Sequence, residues 1–206
     1  MTEARAPLNI GYESDNCIVR ELEVSDELEV LCGWMSDANI ARGLNAPVGK
    51  LTIEDARKYV SSHDRIKSHA LGVFSKVTGK LQGLWAVYID WERKEFLVNV
   101  LLAEKFESEV GAVEETGRPI YALLFDEHGM QSLRFNVLAS NDRMRKRITR
   151  EPEHVTRTAS PDGSGAADAI HHFRITREQY YELRSRRAER DAQFRRKRDE
   201  LRQQRG

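Results

Sequence analysis

The chain has 206 residues, enough for one domain with its own core and a short appendage but too few for two full domains. With 40% apolar and 32% charged residues, its composition is that of a soluble globular protein. It lacks a long apolar run, and its N-terminus lacks the basic-then-apolar order of a signal peptide, so we expect a cytoplasmic protein without a membrane contact. Neither the cysteines nor the histidines show ligand spacing, so no metal site is predicted.

The net charge of zero hides an asymmetry. Residues 184–206 carry ten Arg or Lys against four Asp or Glu, which leaves the first 183 residues with a net charge of about −6. This basic tail could bind nucleic acid, an acidic partner or the acidic body of the same protein. The interleaved acidic residues favour a fourth interpretation, a solvated helix with ion pairs along its own surface.

The first predicted elements are a strand and two helices. Residues 16–24 alternate in part, as a half-buried strand would. Ser25 is expected to cap a helix whose apolar side chains share one face. Thr52 and Asp55 form a capping-box pattern that predicts the start of a second helix.

Three strand patterns follow, at residues 69–77, 81–90 and 96–102. A short turn around Gly79 joins the first two, so the three strands are expected to form an antiparallel meander. Residues 110–127 then have helical periodicity, although Gly117 and Pro119 could kink or restart that helix.

The last third of the chain holds two more strands and a final helix. Residues 132–140 alternate as a strand, Asn141 to Arg150 is a short and very basic helix candidate, and Thr158 to Asp168 has the composition of a loop. Residues 169–176 read as a closing strand, which places His171 and His172 on opposite faces of the sheet. Thr176 with Gln179 predicts the cap of a last helix that runs into the basic tail.

Five segments in this order resemble the GNAT acetyltransferases, in particular the branch that acetylates ribosomal proteins and small amines. They read IVRELEVSDELEVLCGWMSDANIARGL, LTIEDARKYV, GVFSKVTGKLQGLWAVYID, YALLFDEHGMQSLRFNVLASN and HHFRITREQYYEL. The resemblance covers roughly residues 16–183, which suggests an N-terminal extension (1–15), a GNAT-like domain (16–183) and a basic C-terminal helix or tail (184–206). It implies an α+β fold with a central, mostly antiparallel sheet of about six to seven strands, flanked by helices and splayed between the family's fourth and fifth strands.

The resemblance also implies a site. In that family a bulge splays the fourth strand from the fifth, and the exposed backbone holds the pantetheine arm of acetyl-CoA and polarises the thioester carbonyl. The matching strand here is Phe96 to Leu102, whose Val98 also offers backbone groups. We therefore expect Asn99 in the catalytic site, Glu95 as a general base if it faces the cleft, and coenzyme binding by three residues: Val100, Leu101 and Leu102. The alternative for Glu95, which we favour, is a solvated carboxylate at a strand end.

The family's pyrophosphate loop aligns with KFESEVGAVEETG, where it is degenerate. Gly111, Ala112 and Val113 are the coenzyme-binding candidates, because backbone N–H groups at the start of a helix can cradle a phosphate. Glu107 and Glu109 occupy positions where the family often has basic residues. At ~4 Å and an effective dielectric near 20, each carboxylate facing a phosphate would cost roughly 4 kcal/mol before screening. The loop therefore argues against tight coenzyme binding.

Two further features follow the fifth strand of the family. Asn141 matches an asparagine that touches pantetheine, although it could equally be a helix N-cap. The arginines and lysine between 143 and 150 could contact the coenzyme's 3′-phosphate, but a solvated helix face is the favoured interpretation. No tyrosine lies between Tyr121 and Tyr180, so the family's usual general acid is missing.

The function implied by the resemblance is an N-acetyltransferase that transfers an acetyl group from acetyl-CoA to a primary amine of a small molecule or protein. Two alternatives stay open: a noncatalytic GNAT-like binding or regulatory protein that has lost coenzyme A binding, and a nucleic-acid-associated protein that works through its tail. The last helix is long enough to reach a second copy, so a homodimer also stays open.

Overall fold

The computed structural model describes residues 5–37, 51–103, 112–138, 141, 156–158 and 170–203. The strands are β1 (Tyr12–Glu13), β2 (Cys17–Glu21), β3 (Ser68–Ser75), β4 (Leu81–Asp90), β5 (Glu95–Leu102), β6 (Ser132–Leu138), β7 (Thr156–Thr158) and β8 (Ile170–Thr176). The helices are α1 (Glu29–Ser36), α2 (Ile53–Ser61), α3 (Ala112–Ala122) and α4 (Arg177–Gln203), and a π-helical turn (Leu123–Glu127) continues α3. Among these described helices, none has the length and apolar character needed to span a membrane.

All the described strands belong to one sheet, in the order β1-β2-β3-β4-β5-β6-β8-β7. Every neighbouring pair is antiparallel except β5 and β6, which are parallel. The predicted α+β fold with a mostly antiparallel sheet is therefore confirmed. Within the described residues the sheet has eight strands, more than the six to seven expected, because β1 and β7 are edge strands too short to show an alternating pattern.

Several described residues before the first predicted strand contact the sheet. Tyr12 and Glu13 pair with β2, and Ile10 is only 1% exposed. The Leu8 N–H also donates to the Arg65 carbonyl, at 2.7 Å. The segment from Leu8 onward therefore packs on the sheet, while the predicted domain boundaries stay a prediction.

Two of the three predicted helix caps are present. Thr52 and Asp55 form the full capping box of α2, with the Asp55 N–H donating to Thr52 Oγ1 at 3.2 Å. The Gln179 N–H likewise donates to Thr176 Oγ1 at the start of α4. The prediction for Ser25 was wrong, because α1 begins later, with Leu28 at its N-cap and no side-chain cap.

The sheet separates two apolar clusters. Leu84 and Trp85 are neighbours on β4 and therefore point to opposite faces. Leu84 packs with Leu31 of α1 and Val60 of α2, and we call this side the front face. Trp85 packs on the other side in the cluster that includes Ile120 of α3, which we call the back face.

Helix α3 lies very close to the back face. Gly117 permits this approach, because a Cβ at that position would lie 2.8 Å from Cη2 of Trp85. The Trp85 indole N–H also donates to the buried Thr116 Oγ1 at 3.0 Å. The helix continues through both Gly117 and Pro119, so neither residue restarts it.

The sheet divides between β5 and β6. These strands pair only where Glu95–Leu97 faces Ser132–Arg134. Beyond this point β5 stays paired with β4 as far as Leu102, and β6 stays paired with β8 as far as Leu138. The predicted splay is therefore confirmed, and we call the space between residues 98–102 of β5 and 135–138 of β6 the splay cleft. The expected bulge is absent from β5, whose register with β4 is continuous from Glu95 to Leu102.

Candidate active site

The backbone of β5 supplies the first component of the site. The Ala103 N–H donates to the Gln82 carbonyl at 2.8 Å, so odd-numbered residues at this end direct their backbone groups toward β4. At the other end the Lys94 carbonyl accepts from the Gln131 N–H at 2.7 Å, on the β6 side. Since the backbone groups of successive strand residues point to opposite sides, the even-numbered residues of β5 face β6.

Val100 and Leu102 therefore direct their N–H and C=O groups into the splay cleft, where β6 no longer pairs with them, and Val98 adds its carbonyl, since its N–H still faces Arg134 at the last parallel pair. Leu101, also predicted to bind the coenzyme, directs its backbone groups the other way, and its role in binding stays a prediction. Its carbonyl lies on the β4 side, 2.9 Å from where a Cβ on Gly83 would stand. The side chain of Leu101 packs instead against the front-face cluster.

Asn99 lies on the front side of the cleft. Its neighbours Val98 and Val100 belong to the back-face cluster, so alternation turns the half-buried Asn99 side chain forward. Its role in catalysis stays a prediction.

Glu95 lies in the paired part of β5, outside the splay cleft. Its Oε1 accepts hydrogen bonds from Ser132 Oγ at 3.0 Å and from Arg174 Nε at 2.8 Å. Its Oε2 lies 3.7 Å from Nη1 of Arg134, and the side chain is only 15% exposed. These contacts tie β5 to β6 and β8 and favour a structural role for Glu95 over both earlier interpretations, the base and the solvated carboxylate.

A histidine that the sequence did not single out for catalysis lies beside the cleft. His172 of β8 is paired with Asn136 of β6, and Nδ1 of the ring lies 2.8 Å from Asn136 Oδ1. An amide oxygen can only accept, so with this amide orientation Nδ1 carries the proton and Nε2 is the basic nitrogen. As predicted, His171 points to the other face, where its ring lies 6.3 Å from that of Phe173. Alternation could identify the two faces but not the contact with Asn136.

The start of α3 is described from Ala112, while Gly111, Glu107 and Glu109 lie outside the described residues. Ala112 is 4% exposed, and Val113 packs partly against the back-face cluster. Both side chains therefore pack inward at the helix N-terminus, an end that presents backbone N–H groups and a positive dipole to a phosphate.

The two described glutamates of this acidic stretch have partners. Glu114 Oε1 lies 2.6 Å from Nη1 of Arg187 on α4. Glu115 Oε1 accepts from Ser14 Oγ at 2.5 Å, and the Asn16 amide donates to it at 3.3 Å. The partner of Glu114 thus lies in the tail, and the partners of Glu115 lie in the N-terminal hairpin of β1 and β2. Arg187 of the basic tail thus contacts a carboxylate of the acidic body. The binding role of the tail, toward an acidic partner or nucleic acid, and a homodimer stay predictions.

Asn141 is half-buried and lies just beyond the end of β6. The basic segment after it, residues 142–150, lies outside the described residues, so its predicted contact with the 3′-phosphate stays a prediction. Burial raises the pKa of Tyr180 and, together with the hydrogen bond to Asp126, raises the pKa of Tyr181 to about 12. These tyrosines pack with the aromatic rings of α3 and its π-helical turn, so they act in the core.

No protein-family model matches the sequence, and no curated protein matches it either. Solved structures do match the fold. A nucleotide-linked sugar GNAT in its apo form superposes with a TM-score of 0.67 at 15% identity, covering 88% of this chain and 98% of the other. The fold is that of the GNAT acetyltransferases.

Two further GNAT structures hold coenzyme A. Spermidine N-acetyltransferase from Vibrio cholerae, in complex with CoA and spermine, matches with a TM-score of 0.65 at 13% identity and covers 82% of this chain and 99% of its own. A ribosomal α-N-protein acetyltransferase in complex with coenzyme A matches with a TM-score of 0.64 at 15% identity, covering 79% and 95%. At these identities the likeness establishes the fold, and the chain spans nearly the whole length of each neighbour.

Proposed function

We propose that this chain is an N-acetyltransferase that moves an acetyl group from acetyl-CoA to a primary amine of a small molecule or protein. The observation that carries the proposal is the splay cleft, into which Val100, Leu102 and the carbonyl of Val98 direct backbone groups that pair with none of the described strands. The GNAT fold supports it, and so do its structural neighbours, whose acceptors include a polyamine and a ribosomal protein.

The residues of the cleft fit the coenzyme. The pantetheine arm contains two amides, and the N–H and C=O groups of Val100 and Leu102, together with the Val98 carbonyl, offer the complementary donors and acceptors along an extended strand. The helix N-terminus at Ala112 and Val113 would face the pyrophosphate, together with Gly111, and Asn141 would lie beside the arm. When bound, acetyl-CoA supplies the thioester whose acyl carbon the amine attacks.

The acceptor must lose a proton before it can attack, since an ammonium has no lone pair. We assign this step to His172, because the Asn136 contact holds its Nδ1–H and leaves Nε2 as the basic atom on the front side of the cleft. The C–N bond then forms as the C–S bond breaks. Overall the nitrogen loses two protons: one leaves through His172 to solvent, and the other ends on the thiol. Positioning and the backbone groups of β5 supply the rest of the rate enhancement.

This assignment is tested by measuring acetyl transfer to a panel of primary amines. The rate of transfer is measured as the rate at which the coenzyme A thiol is released. His172→Gln should lower kcat/KM by about a hundredfold and remove the acidic limb of its pH profile, since general bases contribute about 10²–10⁴-fold. His171→Gln is the matched control on the opposite face and should retain both. Equal losses in the two variants would refute the role of His172, and an absence of transfer with every amine would favour the noncatalytic alternative.

A further inference from the structure

Two arginines lie directly opposite each other beside the cleft. Arg134 of β6 and Arg174 of β8 are paired in register on the front face. Their side chains are 42% and 41% exposed, so neither guanidinium is enclosed by the core. Like charges at directly opposed positions of an antiparallel pair destabilise a sheet. An anion between them would turn this cost into a favourable interaction.

The carboxylate of Glu95 interacts with both arginines. Arg174 holds Glu95 closely, with Nε 2.8 Å from Oε1 and 3.1 Å from Ser132 Oγ. Arg134 reaches the same carboxylate only at 3.7 Å, too long for a hydrogen bond. Glu95 therefore neutralises Arg174, and Arg134 is the surplus cation of the group.

The register places this surplus charge at the apex of the cleft. Arg134 faces Leu97, the last residue of β5 that pairs with β6. Val98, the first residue with backbone groups directed into the cleft, is the next along the strand, about 3.3 Å further. A molecule that approaches the apex from the front face therefore meets Arg134 and Arg174 first, and Asn136 with His172 one position further on.

We infer that the acetyl acceptor is an amine that also carries an anionic group, a carboxylate or a phosphate, which Arg134 binds with support from Arg174. This inference rests on the proposed function and names its substrate class. Guanidinium groups bind carboxylates and phosphates through paired N–H donors, and the planar fork suits both anions. The same charge repels polyamines, since in the described part of this face Glu95 is the carboxylate nearest to the apex and it is already paired.

Matched amines that differ in one charge test the inference. The pairs are β-alanine with β-alaninamide, for a carboxylate, and glucosamine 6-phosphate with glucosamine, for a phosphate; spermidine is the cationic probe. In the unmodified protein, kcat/KM for the anionic member of one pair should exceed that of its neutral partner by about tenfold or more, as a charge-assisted hydrogen bond allows. The pair that shows the preference identifies the anion.

Arg134→Gln should remove this preference, and Arg134→Lys should retain part of it. Arg93→Gln is the control, because it removes the same charge from a side chain that is 72% exposed in the β4–β5 turn. Equal rates for both members of each pair, a preference for spermidine, or equal losses from Arg134→Gln and Arg93→Gln would overturn the inference. Acetyl-CoA titrated in parallel separates the two proposals: binding without an anion preference refutes this inference alone, and absence of binding refutes both.

Discussion

Replacing Gly117 with alanine should destabilise the protein even though alanine favours helices. The new Cβ would lie 2.8 Å from Cη2 and 3.0 Å from Cζ2 of Trp85. Trp85 is fully buried and its indole N–H is fixed by Thr116, so the ring cannot turn aside. Overpacking of this kind costs about 1–3 kcal/mol, while the gain in helix propensity offsets about 1 kcal/mol. The net loss in the free energy of unfolding should be about 0–2 kcal/mol.

Gly33 provides the matched control. It lies in α1, and a Cβ there would meet nothing within 4 Å. Gly33→Ala should therefore stabilise the protein by about 0.5–1 kcal/mol. Urea unfolding of both variants measures the difference, and thermal unfolding should separate them by about 2–4 °C per kcal/mol. If Gly117→Ala stabilised the protein as much as Gly33→Ala, the close packing of α3 on Trp85 would be refuted.

Three other substitutions test the remaining contacts. Thr116→Val should cost about 1–3 kcal/mol in urea unfolding, because it leaves the buried indole N–H of Trp85 unpaired. Burial lowers the pKa of the His63 imidazole below its ordinary 6.5, so the unfolded chain binds a proton at this residue at a higher pH than the folded chain does. Stability should therefore fall as the pH drops below about 6.5. His63→Phe should flatten that part of the pH–stability curve. Glu95→Gln should lower the unfolding midpoint but leave the pH profile of acetyl transfer unchanged, since Glu95 anchors three strands.

A different outcome for any of these three variants would contradict the contact that it tests. Thr116→Val with unchanged stability would show that the indole bond contributes nothing. A His63→Phe variant with the same slope below pH 6.5 would assign the acid sensitivity to other groups. Loss of the acidic limb in Glu95→Gln would restore Glu95 as the base.

Periodicity and capping patterns were sufficient to predict most of the helices and strands, whereas the splayed sheet was implied by the resemblance to the GNAT acetyltransferases. The meander of β3, β4 and β5 was recoverable because each strand is long and the turn at Gly79 has the positive φ that glycine adopts readily. The Thr52 and Thr176 caps were recoverable because a cap depends on residues three positions apart. The N-terminal strand β1 was missed, since two residues carry no periodic signal.

The site was harder to predict, because it depends on contacts between distant segments. Glu95 meets Arg174, which is 79 residues away, and this contact favours a structural role for a carboxylate that the sequence offered as a solvated strand end or a base. The contact of His172 with Asn136, 36 residues apart, was equally invisible. Leu101 shows a subtler limit: a strand pattern predicts which face a side chain occupies, but not which neighbouring strand its backbone meets.

The most direct test of the proposed coenzyme site is calorimetric titration of acetyl-CoA into three proteins: the unmodified chain, Val100→Pro and Val100→Ala. Proline removes the N–H that faces the splay cleft without removing a bond to β4, while alanine trims the same side chain and keeps the N–H. We expect saturable binding to the unmodified chain and to Val100→Ala, and about tenfold weaker binding to a folded Val100→Pro. Absence of heat up to millimolar acetyl-CoA, or equal affinity in all three proteins, would contradict the proposed coenzyme site.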